Sequence, residues 1–401
     1  MGNVPLFPEL FDREGESGIL PWQEIKYLVE VGRISPDIPD AQIQPASIDL
    51  RLGSKAYRVQ ASFLRGNSTT LLNKVHELLD SIIDLAEPTP QLLEPGVVYI
   101  IPLVETLRLP NDIQGIANPK STTGRLDIFT RLITECGDQF DRVPLGYSGK
   151  LYVEVSSRTF PIRVREGMRL NQLRFVRGSS LDPVRNGSLK KLAKEYRLIH
   201  EPTPTKAMDS SIGDGVEIRV DLQGDDESSI VAYKAKDSPR AVELDKLNYY
   251  DPQDFWERIP RPRQRRIILS KGEFYLLASK ARVSVPLNHA AEMIAHDPSM
   301  GEFRVHYAGF FDPGFGYGTH GEIQGTKAVL EVRAYEVPIL LEDNDVVGRL
   351  HYYPMAGVPQ KVYGASIGSS YQEQGLALSK QFKRDDRLRD PIGQPRTMAT
   401  A

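Results

Sequence analysis

The chain repeats itself at an interval of about 176 residues, and this repeat restricts the possible folds more than any other feature. Residues 95–110 align without a gap on residues 271–286, and residues 151–175 align in the same way on residues 328–352. The offset stays nearly constant over most of each half. The sequence therefore predicts two copies of one domain, joined in tandem.

The repeat divides the chain into four predicted segments. In chain order these are an N-terminal β domain over 1–178, a linker with a helix over 179–208, a C-terminal β domain over 209–381 and a disordered tail over 382–401. We expect the linker helix over 187–200 and expect it to be exposed. The tail is polar and carries Pro and Gly, which is typical of disorder.

Both copies have the composition of β structure. Short runs such as "VYIIP" and "AVLEV" are rich in Val, Ile, Tyr and Leu and are bounded by Gly, Pro and Asn. Helical spacing of apolar residues predicts only two further helices, over 21–32 and 71–83. A mainly β fold with a few short helices, arranged as a barrel or sandwich in each copy, is the expected class.

The overall composition excludes several functional classes. The net charge of −3 argues against a general nucleic-acid binder, and the single cysteine, Cys136, allows neither an internal disulfide nor a cysteine-based zinc site. We find no secretory signal and no apolar run long enough to span a membrane, so a cytoplasmic location is expected. The seven histidines are dispersed and the zinc-deaminase signature is absent. A catalytic site would therefore be free of metal and would use carboxylates, hydroxyls and arginine.

The stretch "NPKSTTGR", residues 118–125, is a candidate phosphate site. It places Lys120, Ser121 and Arg125 within six residues. It is not a Walker loop, because that motif needs its glycine before the lysine. A lysine can offer phosphate a point charge and an arginine can bind it in a bidentate manner.

Two glutamates occupy the same position of the repeat. Glu154 and Glu331 each lie inside an apolar strand. Such a residue can simply face solvent at a strand edge. Alternatively, burial in a pocket would raise its pKa and let it act first as a general base and then as an acid.

Two further stretches belong to the second copy alone. "FFDPGFG" (310–316) predicts a turn, which is either a plain hairpin or part of a site. "YGASIGSSYQEQGLALSK" (363–380) is either a flexible linker or a lid that closes over a polar ligand.

In their order along the chain, these motifs resemble those of the two-domain bacterial dCTP deaminases, which have the deoxyuridine triphosphatase-like fold. The resemblance rests on "QIQPASIDLRLG" (42–53), "PKSTTGR" (119–125), "YAGFFDPGFG" (307–316), "AVLEV" (328–332) and the stretch 363–380. This last stretch resembles the family's nucleotide-covering tail and is called the covering stretch below. It implies tandem jelly-roll-like barrels that assemble in threes, with each site at a junction between domains. It also implies hydrolytic deamination of dCTP to dUTP and ammonia, which supplies dUTP for thymidylate synthesis. No catalytic metal is implied, and Mg²⁺ would be bound through the triphosphate of the substrate.

Neither half carries a complete set of these motifs. The first half has "KSTTGR" and Glu154 but no Asp-Pro-Gly turn, whereas the second half has the turn, Glu331 and the covering stretch but a degraded phosphate motif. We therefore expect a composite site, with Lys120, Ser121 and Arg125 supplied by the first half of this chain or of a partner chain.

Within this composite site the resemblance implies a role for each residue of the second half. Glu331 would be the general base and acid, backbone groups near Ala308 would bind the cytosine edge, and Asp312 would bond the sugar 3′-hydroxyl. Substrate contacts from the covering stretch are expected from Tyr363, Tyr371, Gln374 and Lys380. Glu154 would be a relic or the catalytic carboxylate of a second, weaker site.

Several alternatives remain open at this point. The chain could be a dUTP diphosphatase, an enzyme that performs both steps, a non-catalytic nucleotide sensor or an unrelated β-rich binding protein. The substrate could also be dCMP or a modified cytosine nucleotide, and dTTP could act as a feedback inhibitor. A homo-oligomer is expected, and a trimer is favoured because three chains supply six domains. We expect dCTP as the small-molecule partner and neither nucleic acid nor a membrane.

Overall fold

The fold was obtained as a computed structural model of the whole chain. The residues it describes are 17–64, 70–200, 211–224, 229–295, 303–305, 309–364, 371–372 and 374–384. Ala308, the residue expected at the cytosine edge, lies outside this described part of the chain.

The first half is built almost entirely from antiparallel strands. Its strands within the described residues are Gly18–Ile19 (β1), Ile34–Ser35 (β2), Ile48–Arg51 (β3), Lys55–Val59 (β4), Leu79–Asp84 (β5), Gln91–Leu93 (β6), Val98–Arg108 (β7), Ile113–Pro119 (β8), Ile128–Thr134 (β9), Arg142–Val143 (β10), Ser148–Ser157 (β11), Ile162–Val164 (β12) and Arg169–Arg177 (β13). One sheet has the order β5-β4-β7-β11-β9, and another has the order β1-β13-β8-β10 with β3 also paired to β13.

The rest of the chain repeats this plan. Its described strands are Ile199–His200 (β14), Ile212–Gly213 (β15), Gly215–Arg219 (β16), Ile230–Ala235 (β17), Val242–Glu243 (β18), Trp256–Pro260 (β19), Arg266–Leu269 (β20), Phe274–Val283 (β21), His289–Ala295 (β22), Phe303–Val305 (β23), Phe310–Phe311 (β24), Thr326–Ala334 (β25), Ile339–Glu342 (β26) and Val346–Pro354 (β27). The sheet β19-β17-β21-β25-β23 corresponds strand by strand to the first of these sheets. In the sheet β15-β16-β27-β22-β24, the strands β16-β27-β22 correspond to β3-β13-β8, but β15 pairs with β16 whereas β1 pairs with β13. The sequence repeat is thus a repeat of structure.

Helices are few and short. They are Trp22–Glu30 (α1), Leu71–Glu77 (α2), Ser121–Gly124 (α3), Asn186–Tyr196 (α4) and Pro252–Phe255 (α5), with a 3₁₀ turn at Asp40–Gln42. Among the helices that the structure describes, none has the length and hydropathy needed to cross a bilayer.

The helix expected over 71–83 is wrong in its second part. The α2 helix ends at Glu77, and the chain continues as β5, which pairs with β4 from Lys55↔Asp84 to Val59↔Leu79. The apolar spacing fits a helix, but the free edge of β4 takes up the backbone hydrogen-bonding groups of β5. Tertiary pairing overrides local propensity here.

Each half buries its core between its two main sheets. In the first half Leu50 and Leu173 from one sheet pack with Ile101 and Val153 from the other. The second half has an equivalent core, which includes Ile218, Leu277, Leu330 and Leu350. Alternating side chains on each strand supply these cores, as expected for a sandwich-like β fold.

The two halves share a junction that is both a sheet and an apolar contact. The β12 strand pairs in parallel with β18 of the second half, with Ile162 opposite Val242. Next to it, the ring of Phe160 packs edge-on against Phe255 and Trp256, at centroid distances of 5.7 and 5.5 Å. Because these rings belong to one continuous buried cluster, the halves are held against each other within one chain.

Segments that we expected to be free of both domains are packed. The α4 helix, expected to be exposed, buries Leu189 and Leu192 in the second-half core, because its apolar residues share one face. At the other end Phe382, which we placed in a disordered tail, is buried against Tyr250 and Trp256. Residues 385–401 lie outside the described part of the chain.

Candidate active site

The stretch predicted to bind phosphate forms a tight loop at the end of β8. Lys120 precedes the single turn of α3, and the backbone amides of Thr123 and Gly124 donate to its carbonyl oxygen. The hydroxyl of Thr123 donates to the carbonyl of Leu170 at 2.9 Å, which ties the loop to β13. Arg125 follows directly. The loop is therefore held by hydrogen bonds within itself and to β13.

Glu331 of the second half lies directly against this loop. Its side chain is buried, and an ideal Cβ built on Gly124 would lie 2.2 Å from Oε2 of Glu331. The carboxylate thus fills the space that a side chain at position 124 would need. Burial raises the pKa of Glu331 well above its ordinary value; the positive charge of Arg125 opposes this and the negative charge of Asp127 adds to it.

Glu154, at the same position of the repeat, is placed quite differently. Its Oε1 forms an ion pair with Nη2 of Arg131 at 2.7 Å. The guanidinium of Arg131 packs over the rings of Phe140 and Phe129, at 3.7 and 4.8 Å. Nearby, burial raises the pKa of Asp141 to about 7, although Asp141 accepts a backbone bond from Leu132. Glu154 is thus buried in an ion pair within its own half, and it lines neither of the two cavities described next.

Two adjoining cavities meet at the loop. The larger has a volume of about 610 Å³ and the smaller about 60 Å³. Glu331, Arg125 and Gln374 line only the smaller cavity. Both cavities are lined by Lys120, Ser121, Phe310, Asp312, Tyr363 and Tyr371. Most of the residues predicted for a composite site therefore surround one continuous space.

The wall of the larger cavity carries a cluster of basic side chains. Lys120 forms an ion pair with Asp49, whose Oδ2 also lies 3.6 Å from Nη1 of Arg169. Lys380 also lines this cavity; desolvation, and then repulsion from Lys120, lower its pKa. Such a cluster suits a polyanion, because a bound phosphate would offset the repulsion between the neighbouring positive charges.

Of the stretch predicted to be a lid, the structure describes residues 363–364, 371–372 and 374–380, and some of these residues contact Arg125. The guanidinium carbon of Arg125 is 3.7 Å from the ring centroid of Tyr371, and Nη1 donates to Oε1 of Gln374 at 2.9 Å. The hydroxyl of Tyr371 lies 3.1 Å from that of Thr122. Gln372 donates to the carbonyl of Gly314 and accepts from the amide of Gly316. The stretch thus joins the first-half loop to the Asp-Pro-Gly turn.

Asp312 and Tyr363 close the far side of the smaller cavity. Burial raises the pKa of Asp312, and the ion pair with Arg174 opposes this rise. Tyr363 is tied to the turn by its amide, which donates to the carbonyl of Pro313 at 2.9 Å. Its phenol has a raised pKa because of burial.

Two residues at this junction were not singled out from the sequence. Arg174 reaches from β13 into the second half, and Arg333 reaches from β25 to Asp127 of the first half. The repeat held a signal for both, because Arg174 aligns with His351 and Arg333 with Ser156. Each of these two arginines is present in one copy only, and each crosses to the other half.

Within the part of the chain that the structure describes, no group of three or more His, Cys, Asp or Glu side chains is arranged to hold a metal ion.

Comparisons with known proteins point to one family. The model of the 2′-deoxycytidine 5′-triphosphate deaminase N-terminal domain matches residues 16–179, and that of its C-terminal domain matches residues 185–382. A crystal structure of 2′-deoxycytidine 5′-triphosphate deaminase from Agrobacterium tumefaciens is 45% identical and has a TM-score of 0.77. That similarity covers 84% of this chain and 99% of the other.

Shorter relatives match about half of the chain. A "dCTP deaminase, dUMP-forming" from Dictyoglomus thermophilum is 31% identical over 192 residues, which are 47% of this chain and 94% of the relative. A protein of the same description from Rhodococcus erythropolis is 30% identical over 191 residues, which are 47% of this chain and 96% of the relative. These relatives thus have the length of a single copy of the repeat.

Proposed function

This chain belongs to the 2′-deoxycytidine 5′-triphosphate deaminase family, and from that membership we propose how its residues deaminate dCTP. The chain is a mainly β enzyme of that family. One observation supports a composite site most strongly: the carboxylate of Glu331 lies against Gly124 and lines the same small cavity as Arg125 of the other half. The proposed site therefore takes its phosphate loop from the first half and its carboxylate from the second half of the same chain.

In this proposal Glu331 carries the protons of the reaction. A carboxylate with a raised pKa can take a proton from water at neutral pH and can later return it. The oxygen of that water would bond to C4 of cytosine while N3 gains a proton. Glu331 would then take the proton of the new C4 hydroxyl and pass it to N4. The C4–N4 bond breaks as the C4 carbonyl forms and ammonia leaves, so that dCTP and water give dUTP and ammonia.

Ser121 and Arg125 would hold the attacking water and stabilise the charge that develops on it. Both residues line the cavity that contains Glu331. In a small, enclosed space such fixed donors act more strongly than they would in bulk water. Tyr371 and Gln374 hold Arg125 in place, and so the covering stretch would prepare the site as well as close it.

The remaining substrate contacts follow from the larger cavity. Lys120, Arg169 and Lys380 line it, and we propose that they bind the triphosphate, whose Mg²⁺ would arrive with the substrate. Asp312 would accept a hydrogen bond from the sugar 3′-hydroxyl. The site would thus recognise the charged end and the sugar of dCTP with residues from both halves.

A second candidate is an enzyme that continues to dUMP. Relatives that are 30% and 31% identical to this chain are described as dUMP-forming. To separate the candidates, we would incubate the purified chain with dCTP and Mg²⁺ and measure ammonia, dUTP, dUMP and pyrophosphate over time. Ammonia with dUTP supports simple deamination, ammonia with dUMP and pyrophosphate supports the two-step enzyme, and no ammonia contradicts the proposed function.

We also propose that the chain assembles as a homotrimer in the cytoplasm. The two-stranded sheet of β20 and β26 supports an assembly, because Ile268 and Leu340, which face each other in its register, are 65% and 51% exposed. Light scattering on the purified chain would give the mass and so test the trimer directly.

A further inference from the structure

Arg174 is a fully buried arginine that ends in the other half of the chain. It lies on β13 of the first half, and Nη2 donates to Oδ1 of Asp312 at 3.2 Å and to the carbonyl oxygen of Phe311 at 2.9 Å. Nη1 donates to the carbonyl of Ala291 at 3.0 Å. One guanidinium therefore binds the carboxylate and two backbone groups around the start of the Asp-Pro-Gly turn.

The contacts of Arg174 fix both the position and the rotamer of Asp312. The carbonyls of Ala291 and Phe311 belong to the paired strands β22 and β24, so the guanidinium is held relative to a sheet. The ring of Phe310 lies 3.9 Å from its central carbon, on a third side. A planar group that is bound on so many sides cannot rotate, and the carboxylate paired with it is held in one orientation.

That orientation leaves one carboxylate oxygen for a ligand. Within the described residues, the hydrogen bond of the Asp312 side chain uses Oδ1 alone. Asp312 lines both cavities, so Oδ2 is the atom that can accept a bond from a substrate hydroxyl. Burial raises the pKa of Asp312, and the positive charge of Arg174 opposes this rise.

We propose that Arg174 is a positioning residue that gives the site its preference for a 3′-hydroxyl, by holding the Asp312 carboxylate in one orientation. This inference rests on the proposed contact between Asp312 and the sugar. Under this inference both halves contribute to recognition of the sugar, just as both halves contribute residues to the proposed base and phosphate contacts. The second copy has His351 at the equivalent position, so this pairing is a specialisation of the first half.

The competing explanation is that Arg174 only joins the halves. A buried ion pair alone does not distinguish these roles, because breaking it destabilises a protein whatever its function. The two explanations differ in one measurable ratio. Loss of a purely structural residue should weaken the binding of both nucleotides equally. Loss of a positioning residue should weaken only the binding of the nucleotide that carries the 3′-hydroxyl.

The test compares the affinities of dCTP and 2′,3′-dideoxycytidine triphosphate by calorimetry. Both are measured on the full chain with Glu331→Gln, so that no substrate is consumed. To this background we would add Arg174→Met, Arg174→Lys or Asp312→Asn. Arg177→Met is the matched control, because Arg177 lies on the same strand and pairs with Glu24 inside the first half, at 2.7 Å.

We expect the background protein and the Arg177→Met control to prefer dCTP by roughly 10- to 100-fold, as for one hydrogen bond to a charged group. Arg174→Met and Asp312→Asn should each bring the preference to within about 3-fold of unity, mainly through weaker binding of dCTP. Arg174→Lys keeps the charge but loses the planar guanidinium. Its preference for dCTP should lie between that of the background protein and that of Arg174→Met, and it provides the test where Arg174→Met does not fold.

Each outcome has a distinct meaning. If Asp312→Asn loses the preference while Arg174→Met and Arg174→Lys keep it in full, the positioning role of Arg174 is overturned. If Asp312→Asn also keeps the preference, the proposed contact between Asp312 and the sugar is wrong, and the inference fails with it. Failure of the chain to release ammonia from dCTP would contradict the proposed reaction alone, because these affinities do not depend on turnover.

Discussion

The carboxylate of Glu331 occupies the position in which a side chain on residue 124 would begin. An ideal Cβ at Gly124 would lie 2.2 and 2.5 Å from the two carboxylate oxygens. Atoms cannot approach so closely, so the loop and the carboxylate can meet only because residue 124 is glycine. The pair Gly124 and Glu331 thus defines the contact between the two halves at the site.

Gly124→Ala should therefore remove activity without unfolding the chain. The new methyl group would push Glu331 or the loop away by an ångström or more, and such a displacement costs about 100-fold in rate. Deamination of dCTP is the measurement, with the far-ultraviolet circular dichroism spectrum as the check on folding. Gly187→Ala is the matched control, because nothing lies within 4 Å of its added Cβ. Equal activity of the two variants would show that the close approach has no role.

Glu331→Gln should stabilise the folded chain above the raised pKa of the glutamate. Because the folded-state pKa is raised, the folded chain holds a proton that the unfolded chain has lost, and stability falls as pH rises from about 4.5 through the folded pKa. Glutamine avoids that loss. Melting temperatures measured from pH 5 to pH 8.5 should show an advantage for Glu331→Gln that grows with pH.

Glu154→Gln provides the contrast for that measurement. It removes the carboxylate that pairs with Arg131, so it should lower the melting temperature at neutral pH. If both glutamine variants shifted the melting temperature in the same direction, the difference between the two glutamates would be contradicted.

Arg333→Met should weaken the junction between the halves. Arg333 pairs with the buried Asp127, whose pKa is raised by burial and lowered again by that arginine. Without Arg333, Asp127 would keep its bond from the hydroxyl of Thr159 but lose its ion pair. Removing one partner of a buried ion pair costs about 3–5 kcal/mol, and the double change with Asp127→Asn should recover most of this loss. The midpoint of urea unfolding is the measurement.

Arg158→Met is the control for the change at Arg333. Arg158 also bonds across the junction, to the hydroxyl of Tyr335 at 2.9 Å, but this contact is exposed to solvent. It should therefore change stability by no more than about 0.5 kcal/mol. If Arg333→Met unfolded at the wild-type midpoint, the ion pair between Arg333 and Asp127 would not contribute to stability.

The sequence predicted the duplicated fold and the composite character of the site from the same observation. Glu331 and the loop around Arg125 could be matched because each motif was present in one copy and degraded in the other. The partner of Arg125 could not be located further, since both this chain and a neighbouring chain could have supplied it. The structure places both parts in one chain.

Contacts across the junction were beyond the reach of sequence patterns. The pairs Arg174–Asp312 and Arg333–Asp127 are separated by 138 and 206 residues, and no local period connects them. The predicted continuation of the helix after Glu77 was wrong for a similar reason, because these residues pair with the edge of β4 instead. In each case the deciding partner is distant in sequence and is brought near only by folding.

Mixed chains should show that one chain builds one whole site. We would co-express Glu331→Gln and Arg125→Met chains with different tags and purify the assemblies that contain both. Because Arg125 and Glu331 of one chain line the same small cavity, every site in such an assembly should lack one of them. We expect no recovery of dCTP deamination. Recovery of about a third of the wild-type rate, as mixed trimers would give if each site drew on two neighbouring chains, would contradict this.

The most direct test of the composite site compares the rates of dCTP deamination by Glu331→Gln and Glu154→Gln. A general base and acid contributes about 10²- to 10⁴-fold, so Glu331→Gln should lose at least 100-fold in kcat. Glu154→Gln should stay within about 3-fold of the wild-type rate once its folding is verified, because Glu154 lines neither cavity. An inactive Glu154→Gln chain beside an active Glu331→Gln chain would contradict the composite site.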